Sequence, residues 1–411
     1  MPMTLRHVAG SEKPRYHLAS VIAFVLIAVA VTGCASISRL PAVPLSDVQQ
    51  TKVMGIPNAR FYVFEKKRID AVALEAFRRL NRHRSASTPL YFLAISGGGD
   101  DGAFGAGVLV GWTAHGNRPM FDVVTGVSTG SLLAPFAFLG PQYDSQLKAI
   151  YTETSAGDVF EKRPPLLSLA AGESLLNTAP LRKMIAHYVD NALVRRIAEE
   201  YGKGRLLFIL TTNLDQARPV IWNIGAIAAS GSPSARKLIV DVLLASASMP
   251  AIFPPVMINV SVNGHKYQEM HVDGGTIAQA FLYPPSFSLK QMAALTGRSI
   301  RKLRARKRIA YIIRNGRLAR PETSVKLQTL SIAKEAISTM IASSGVNDTY
   351  RMYLITKRDG VKFNLASIRS DFTIPYKGPF NEKYMREVFN YGYQKARAGY
   401  PWRKTPPGYV R

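Results

Sequence analysis

Residues 90–131, LYFLAISGGGDDGAFGAGVLVGWTAHGNRPMFDVVTGVSTGS, decide the fold. Leu90 to Ile95 is a short apolar run closed by glycines, the pattern of a strand buried on both faces. Gly105 to Trp112 reads as a helix. Phe121 to Thr125 reads as a second strand, which runs through small residues into an apolar stretch, Leu132 to Leu139. Upstream, IDAVALEAFRRLNRH (69–83) repeats its apolar positions every three or four residues, as a helix does. Downstream, Leu206 to Thr212, Lys266 to Val272, Ala310 to Arg314 and Met352 to Thr356 are strand-like, and Val325 to Ser343 is helix-like. Strands alternating with helices predict the α/β class: a mostly parallel central sheet covered on both faces.

Both turns in the opening stretch are rich in glycine. The first, Ser96 to Gly107, follows a buried strand and precedes a helix, so its backbone N–H groups face outward with the helix dipole behind them. One use is dinucleotide binding, through Gly97-x-Gly99-x-x-Gly102. The other is an oxyanion hole beside a nucleophile. Asp122 stands at the start of the next strand instead of its end, where a ribose-binding acid belongs. Asp100 and Asp101 would repel a pyrophosphate. The nucleotide use loses on both counts.

The second turn, Gly126-Val127-Ser128-Thr129-Gly130, matches G-x-S-x-G. A serine on a tight strand-to-helix turn needs small residues two places to either side, and it aims the next N–H, from Thr129, at the point its hydroxyl faces. A serine hydroxyl attacks only when a base takes its proton. The histidines after Ser128 are His187, His265 and His271. Beside the last of these stands Asp273-Gly274-Gly275, a single acid whose glycines permit close approach to another loop. A carboxylate touching Ser128 can itself serve as base, with a pKa less suited to the task than that of imidazole.

Together these motifs resemble the patatin-like phospholipases: a glycine-rich loop, G-x-S-x-G about thirty residues on, and a distant D-G-G. The segment Leu243 to Val256, LLASASMPAIFPPV, is similar to that family's stretch before D-G-G. The resemblance covers at least residues 88–285 and extends toward residue 400. It implies a three-layer α/β/α sandwich and cleavage of lipid acyl esters without metal or cofactor. By the same resemblance Ser128 is the nucleophile, Asp273 the general base, and Gly97, Gly98, Gly99 and Thr129 the oxyanion hole. One position departs from the family pattern: Asp101 stands where a basic residue is usual. The expectation is that Asp101 turns outward or pairs with an arginine. Two other readings stay open, a Ser–His–Asp esterase recruiting His265 or His271, and a lipid-binding lipoprotein without catalysis.

Composition sets the surroundings. The chain has 411 residues, 47% of them apolar and 19% charged, enough for a large core and unlike a disordered chain. Lys and Arg total 53 against 27 acids, a balance of +26 that favours anionic surfaces. A basic opening is followed by fifteen uncharged residues, Leu18 to Thr32, too short for a permanent span and suited to an export signal. The signal ends Val31-Thr32-Gly33-Cys34, similar to the lipobox of bacterial lipoproteins, and Cys34 is the only cysteine of the chain. The resemblance implies cleavage after residue 33, lipidation of Cys34 and attachment to the outer membrane, with an uncleaved anchor helix as the alternative. Without residues 1–33 the chain loses three basic residues and Glu12, and still carries +24. Residues 34–87 are expected to be a tether and helical segment, 88–400 the main domain with a C-terminal part from 286, and 401–411 an exposed tail. The run Arg298 to Arg308, RSIRKLRARKR, has seven basic residues in eleven. The expected partners are a membrane phospholipid or other acyl-ester lipid and an anionic membrane surface; export argues against nucleic acid.

Overall fold

The computed structural model describes residues 39–163, 176–250, 252–318 and 324–409. The expected signal segment and Cys34 lie outside the described residues. Ten strands form one sheet: β1 (Lys52–Val53), β2 (Arg60–Tyr62), β3 (Leu90–Ile95), β4 (Val123–Val127), β5 (Leu206–Asn213), β6 (Arg218–Asn223), β7 (Val256–Val262), β8 (His265–Asp273), β9 (Arg308–Arg317) and β10 (Lys362–Ile368). The centre is a parallel run in the order β10-β9-β3-β4-β5. Beyond β5 the pairing turns antiparallel, through β6 and β2 on one edge and through β8, β7 and β1 on the other.

Alternation along the strands sends side chains to two separate cores. Leu93, Ile95, Val124, Leu207 and Ile209 pack with α2 (Gly102–Ala114), α3 (Thr129–Leu139), α4 (Ala235–Ser246) and α6 (Glu382–Arg397). On the opposite face, Phe92, Ala94 and Ile312 meet Met352 and Ile355 of α5 (Thr329–Asp359). Phe208 and Phe61 meet Ile69 and Ala76 of α1 (Lys66–His83) there. Period-2 burial on a sheet between two helical layers is the expected three-layer α/β/α sandwich. Close helix packing explains two glycines of α2: a Cβ on Gly107 would sit 2.1 Å from Phe389 O of α6, and one on Gly111 2.3 Å from Tyr393 O.

Two expectations are corrected. Met352 to Thr356 is not a strand but the C-terminal part of α5, a 31-residue helix. Met352, Ile355 and Asp359 are buried while Leu354 is 61% exposed, a helical stripe that a five-residue apolar window cannot reveal. The sheet's last parallel strand is instead β10. Nor is the segment after residue 400 an exposed tail: Trp402 packs against Trp112, Tyr311 and Tyr400, and Arg403 pairs with Leu365 of β10.

Candidate functional site

β4 and β8 lie on the same edge of β5 and meet end to end. Val127, the last residue of β4, pairs with Leu210; Asp273, the last residue of β8, pairs with the adjacent Thr211. Two chain ends far apart in sequence are thereby brought to one point. There the Ser128 side chain comes close enough to the Asp273 carboxylate to act on its ionisation.

Ser128 sits at φ 53°, ψ −128°, a left-handed conformation that is strained for any residue with a Cβ. The turn is held by close packing. A Cβ on Gly126 would lie 2.5 Å from Gly130 O, and one on Gly130 would lie 2.3 Å from Ile95 O, so both positions exclude a side chain. The Ser128 N–H donates to Ser246 Oγ at 3.0 Å, and Ser246 Oγ donates to Leu210 O at 2.7 Å, tying the turn to β5. Thr129 opens α3, and its side chain shares a 2.5 Å hydrogen bond with the Tyr151 hydroxyl.

The glycine loop lies directly against this turn: a Cβ on Gly97 would approach Ser128 Cβ to 3.1 Å. One expected donor is corrected here. The Gly97 N–H already donates to Gln279 O at 3.0 Å, so it cannot serve an oxyanion. The N–H groups of Gly98, Gly99 and Thr129 have no acceptor among the described residues. Asn315, near the end of β9, holds the loop from below by donating from Nδ2 to Ser96 O and from its backbone N–H to Ser96 Oγ, both at 2.8 Å. Gln279 joins the two loops, accepting from Gly97 and donating from Nε2 to Gly275 O at 2.9 Å. Its own backbone N–H donates to buried Asp348 of α5 at 2.6 Å.

Asp273 is 4% exposed and has no cation partner among the described residues. Burial pushes its carboxyl up to about 7, against the opposing pull of nearby Ser128 and of a 2.7 Å hydrogen bond from the Gly275 N–H. Glu269 and His271 occupy the same face of β8. His271 is fully buried, and both ring nitrogens are engaged, Nδ1 with Thr211 Oγ1 at 2.9 Å and Nε2 with Glu269 Oε2 at 3.2 Å. His265 is exposed at the far end of β8, roughly 27 Å from Asp273 at strand spacing. Neither imidazole is disposed to serve Ser128.

Asp100 is buried and Asp101 half-buried. Asp100 accepts from the Phe380 N–H at 3.1 Å, and burial followed by the neighbouring Asp101 raises it to about 6. Asp101 accepts from the Tyr384 hydroxyl of α6 at 2.8 Å and lies near Arg317; burial raises its pKa as well. Of the two expected outcomes the outward turn is not seen: the carboxylate takes a hydrogen bond from Tyr384 of α6 and is attracted by Arg317. Phe380 belongs to an aromatic cluster with Phe160 and Phe253, which links the glycine loop to the turn after α4.

Residues 93–283 match the patatin-like phospholipase family model. The matched region contains the glycine loop, Ser128 and the D-G-G turn, and it ends in the segment that follows Gln279. Among solved structures, the crystal structure of VipD from Legionella pneumophila is similar, with 10% identity and a TM-score of 0.31 over 76% of this chain and 67% of that one. No curated protein matches the sequence.

Sequence reasoning passed over Ser246, Gln279 and Asn315. Ser246 lies inside the quoted segment LLASASMP, where its place beside two other small residues was the available signal. Gln279 and Asn315 act largely through backbone contacts, which leave no local pattern.

Proposed function

We propose that the matched region is a serine acyl-ester hydrolase acting on lipids through a Ser128–Asp273 dyad. The observation that carries this reading is the approach of the Ser128 side chain to a buried carboxylate whose pKa burial pushes up to about 7. Burial thereby supplies the pKa match that an ordinary carboxylate lacks. Ionised Asp273 takes the proton of Ser128 as Oγ bonds to the acyl carbon. The carbonyl oxygen becomes an oxyanion beside the free N–H groups of Gly98, Gly99 and Thr129, each donor contributing about 2.7–4 kcal/mol to the transition state. The ester C–O bond then breaks and Asp273 passes its proton to the leaving alkoxide. Water attacks the acyl-serine with Asp273 again as base, and the fatty acid leaves. The Asp101 carboxylate is held by the Tyr384 hydroxyl of α6.

The reading includes export and lipid anchoring at Cys34 on the periplasmic side of an outer membrane, supported by the lipobox-like residues 31–34 and the apolar run before them. A basic, anchored enzyme of this kind would lie against anionic lipid.

The test is labelling of the full chain with a fluorophosphonate, together with hydrolysis of a fluorogenic acyl ester. Ser128→Ala is expected to lose the label and, with Asp273→Asn, to lose activity by a factor on the order of 10⁴ or more. Wild-type turnover in both variants would overturn the proposal. Turnover that survives Asp273→Asn but not Ser128→Ala would move the base to another residue.

A further inference from the structure

A cavity of about 180 Å³ opens at the other end of the sheet, beneath α1. It lies at the N-terminal ends of the parallel strands, touching Leu90, Val123 and Leu206, whereas Ser128 follows the C-terminal end of β4. The length of β4 alone separates them by roughly 17 Å. Its walls are apolar, with Val72 and Phe77 from α1, Phe92 and Phe208 from the sheet, and Phe287 and Met292 from the segment after β8.

Arg306 and Arg308 also line this cavity, and each is only 8% exposed. Buried guanidinium groups ordinarily face a carboxylate. These have no ion-pair partner among the described residues. Arg306 Nε donates to Thr88 O at 2.7 Å and Nη1 to Asn81 Oδ1 at 3.4 Å, while Nη2 is buried with no partner. Arg308 Nη1 donates to Leu303 O and Nη2 to Arg304 O at 3.5 Å, while Nε is buried with no partner. The two acids that line the cavity make their direct contacts elsewhere, Asp122 with Arg84 and the Tyr91 N–H, Asp359 with Arg358 and the Tyr283 hydroxyl, and attract Arg306 and Arg308 only at longer range. Arg298 and Lys302 stand exposed at the rim. The basic run 298–308 thus contributes two buried cations and two rim cations to an apolar hole.

We propose that this cavity is a binding site for a fatty-acid anion, its chain among the aromatic walls and its carboxylate against Arg306 and Arg308. The positive charge of Arg306 and Arg308 at the wall and of Arg298 and Lys302 at the rim suits a carboxylate, and the apolar walls suit an alkyl chain. The site is independent of the dyad, so it stands or falls separately from the hydrolase reading.

The experiment titrates laurate, which has no ester bond to cleave, into the full chain by isothermal titration calorimetry. Laurate is expected to saturate one site. The double variant Arg306→Gln/Arg308→Gln is expected to weaken it tenfold or more, and Val72→Trp, which fills the cavity from α1, to abolish it. Dodecanol, with the same chain and no charge, is expected to bind at least tenfold more weakly and to ignore the arginine substitutions. Thermal unfolding establishes that each variant is folded; if the arginine pair proves necessary for folding, Val72→Trp and dodecanol carry the test. Absence of saturable binding overturns the proposal. So does laurate affinity unchanged by Val72→Trp, or dodecanol binding equal to that of laurate.

Discussion

Glu269 and Asp273 stand four residues apart on the same face of one strand, both buried, yet their chemistry is opposite. Burial alone would raise both. At Glu269 it is outweighed by Arg60, whose guanidinium grips the carboxylate with two hydrogen bonds, and His271 adds a third; the pKa falls to about 2. Asp273 has a serine and a glycine amide for company and rises to about 7. The difference teaches that burial sets the stakes and the partner sets the sign. The middle of β8 is a structural clamp that Arg60 holds charged. Its C-terminal end holds a carboxyl poised between its two protonation states.

Removing the partner is the sharpest way to break this contrast. Arg60→Met is expected to leave Glu269 buried without its cation and to destabilise the fold by about 3–5 kcal/mol at pH 8, measured by urea unfolding. The deficit should shrink in acid as Glu269 takes up a proton. An unchanged unfolding curve would mean that the clamp is not structural.

A smaller effect of opposite sign is expected at Asp273. Its folded pKa lies above the unfolded value, so its contribution to stability is complete below the unfolded pKa and is lost as pH rises through about 7. At pH 8 the native state therefore holds a buried charge at a disadvantage. Asp273→Asn is expected to stabilise the protein there by about 2 kcal/mol, within the linkage ceiling of roughly 4 kcal/mol, and to give no gain at pH 4. An equal gain at both pH values would place its cause outside ionisation.

How much of this was legible before the structure depends on how local the cause is. The strand Leu90–Ile95 and the turn around Ser128 were readable because apolar runs and steric exclusion act over a few neighbouring residues. The approach of Asp273 to Ser128 is a matter of register on β5, and only the joint pattern of motifs pointed to it. Gly97 was assigned a donor role that its hydrogen bond to Gln279 forbids, because the partner comes from a loop more than 180 residues away. Asp101 was expected to be solvated or ion-paired, since nothing near it in sequence announces Tyr384. The misreading of Met352 to Thr356 as a strand has the same root: five apolar-rich residues fit either period, and only α5's full length separates them.

The mildest test probes the poised end of β8 directly. If Asp273 must be ionised to take the serine proton, the rate of fluorophosphonate labelling should fall about tenfold for each pH unit below 7 and level off above it. An inflection near 4 would show an unburied carboxylate and dissolve the contrast with Glu269. An inflection near 7 alone also fits an imidazole, so temperature has to discriminate. A carboxylate's ionisation carries little heat and its pKa barely moves on warming, whereas an imidazole's drops. The expected outcome is an inflection near 7 that stays in place between cool and warm conditions, and that persists in His265→Ala. An inflection that slides downward with heat would transfer the base to a histidine, leaving Asp273 as an orienting neighbour.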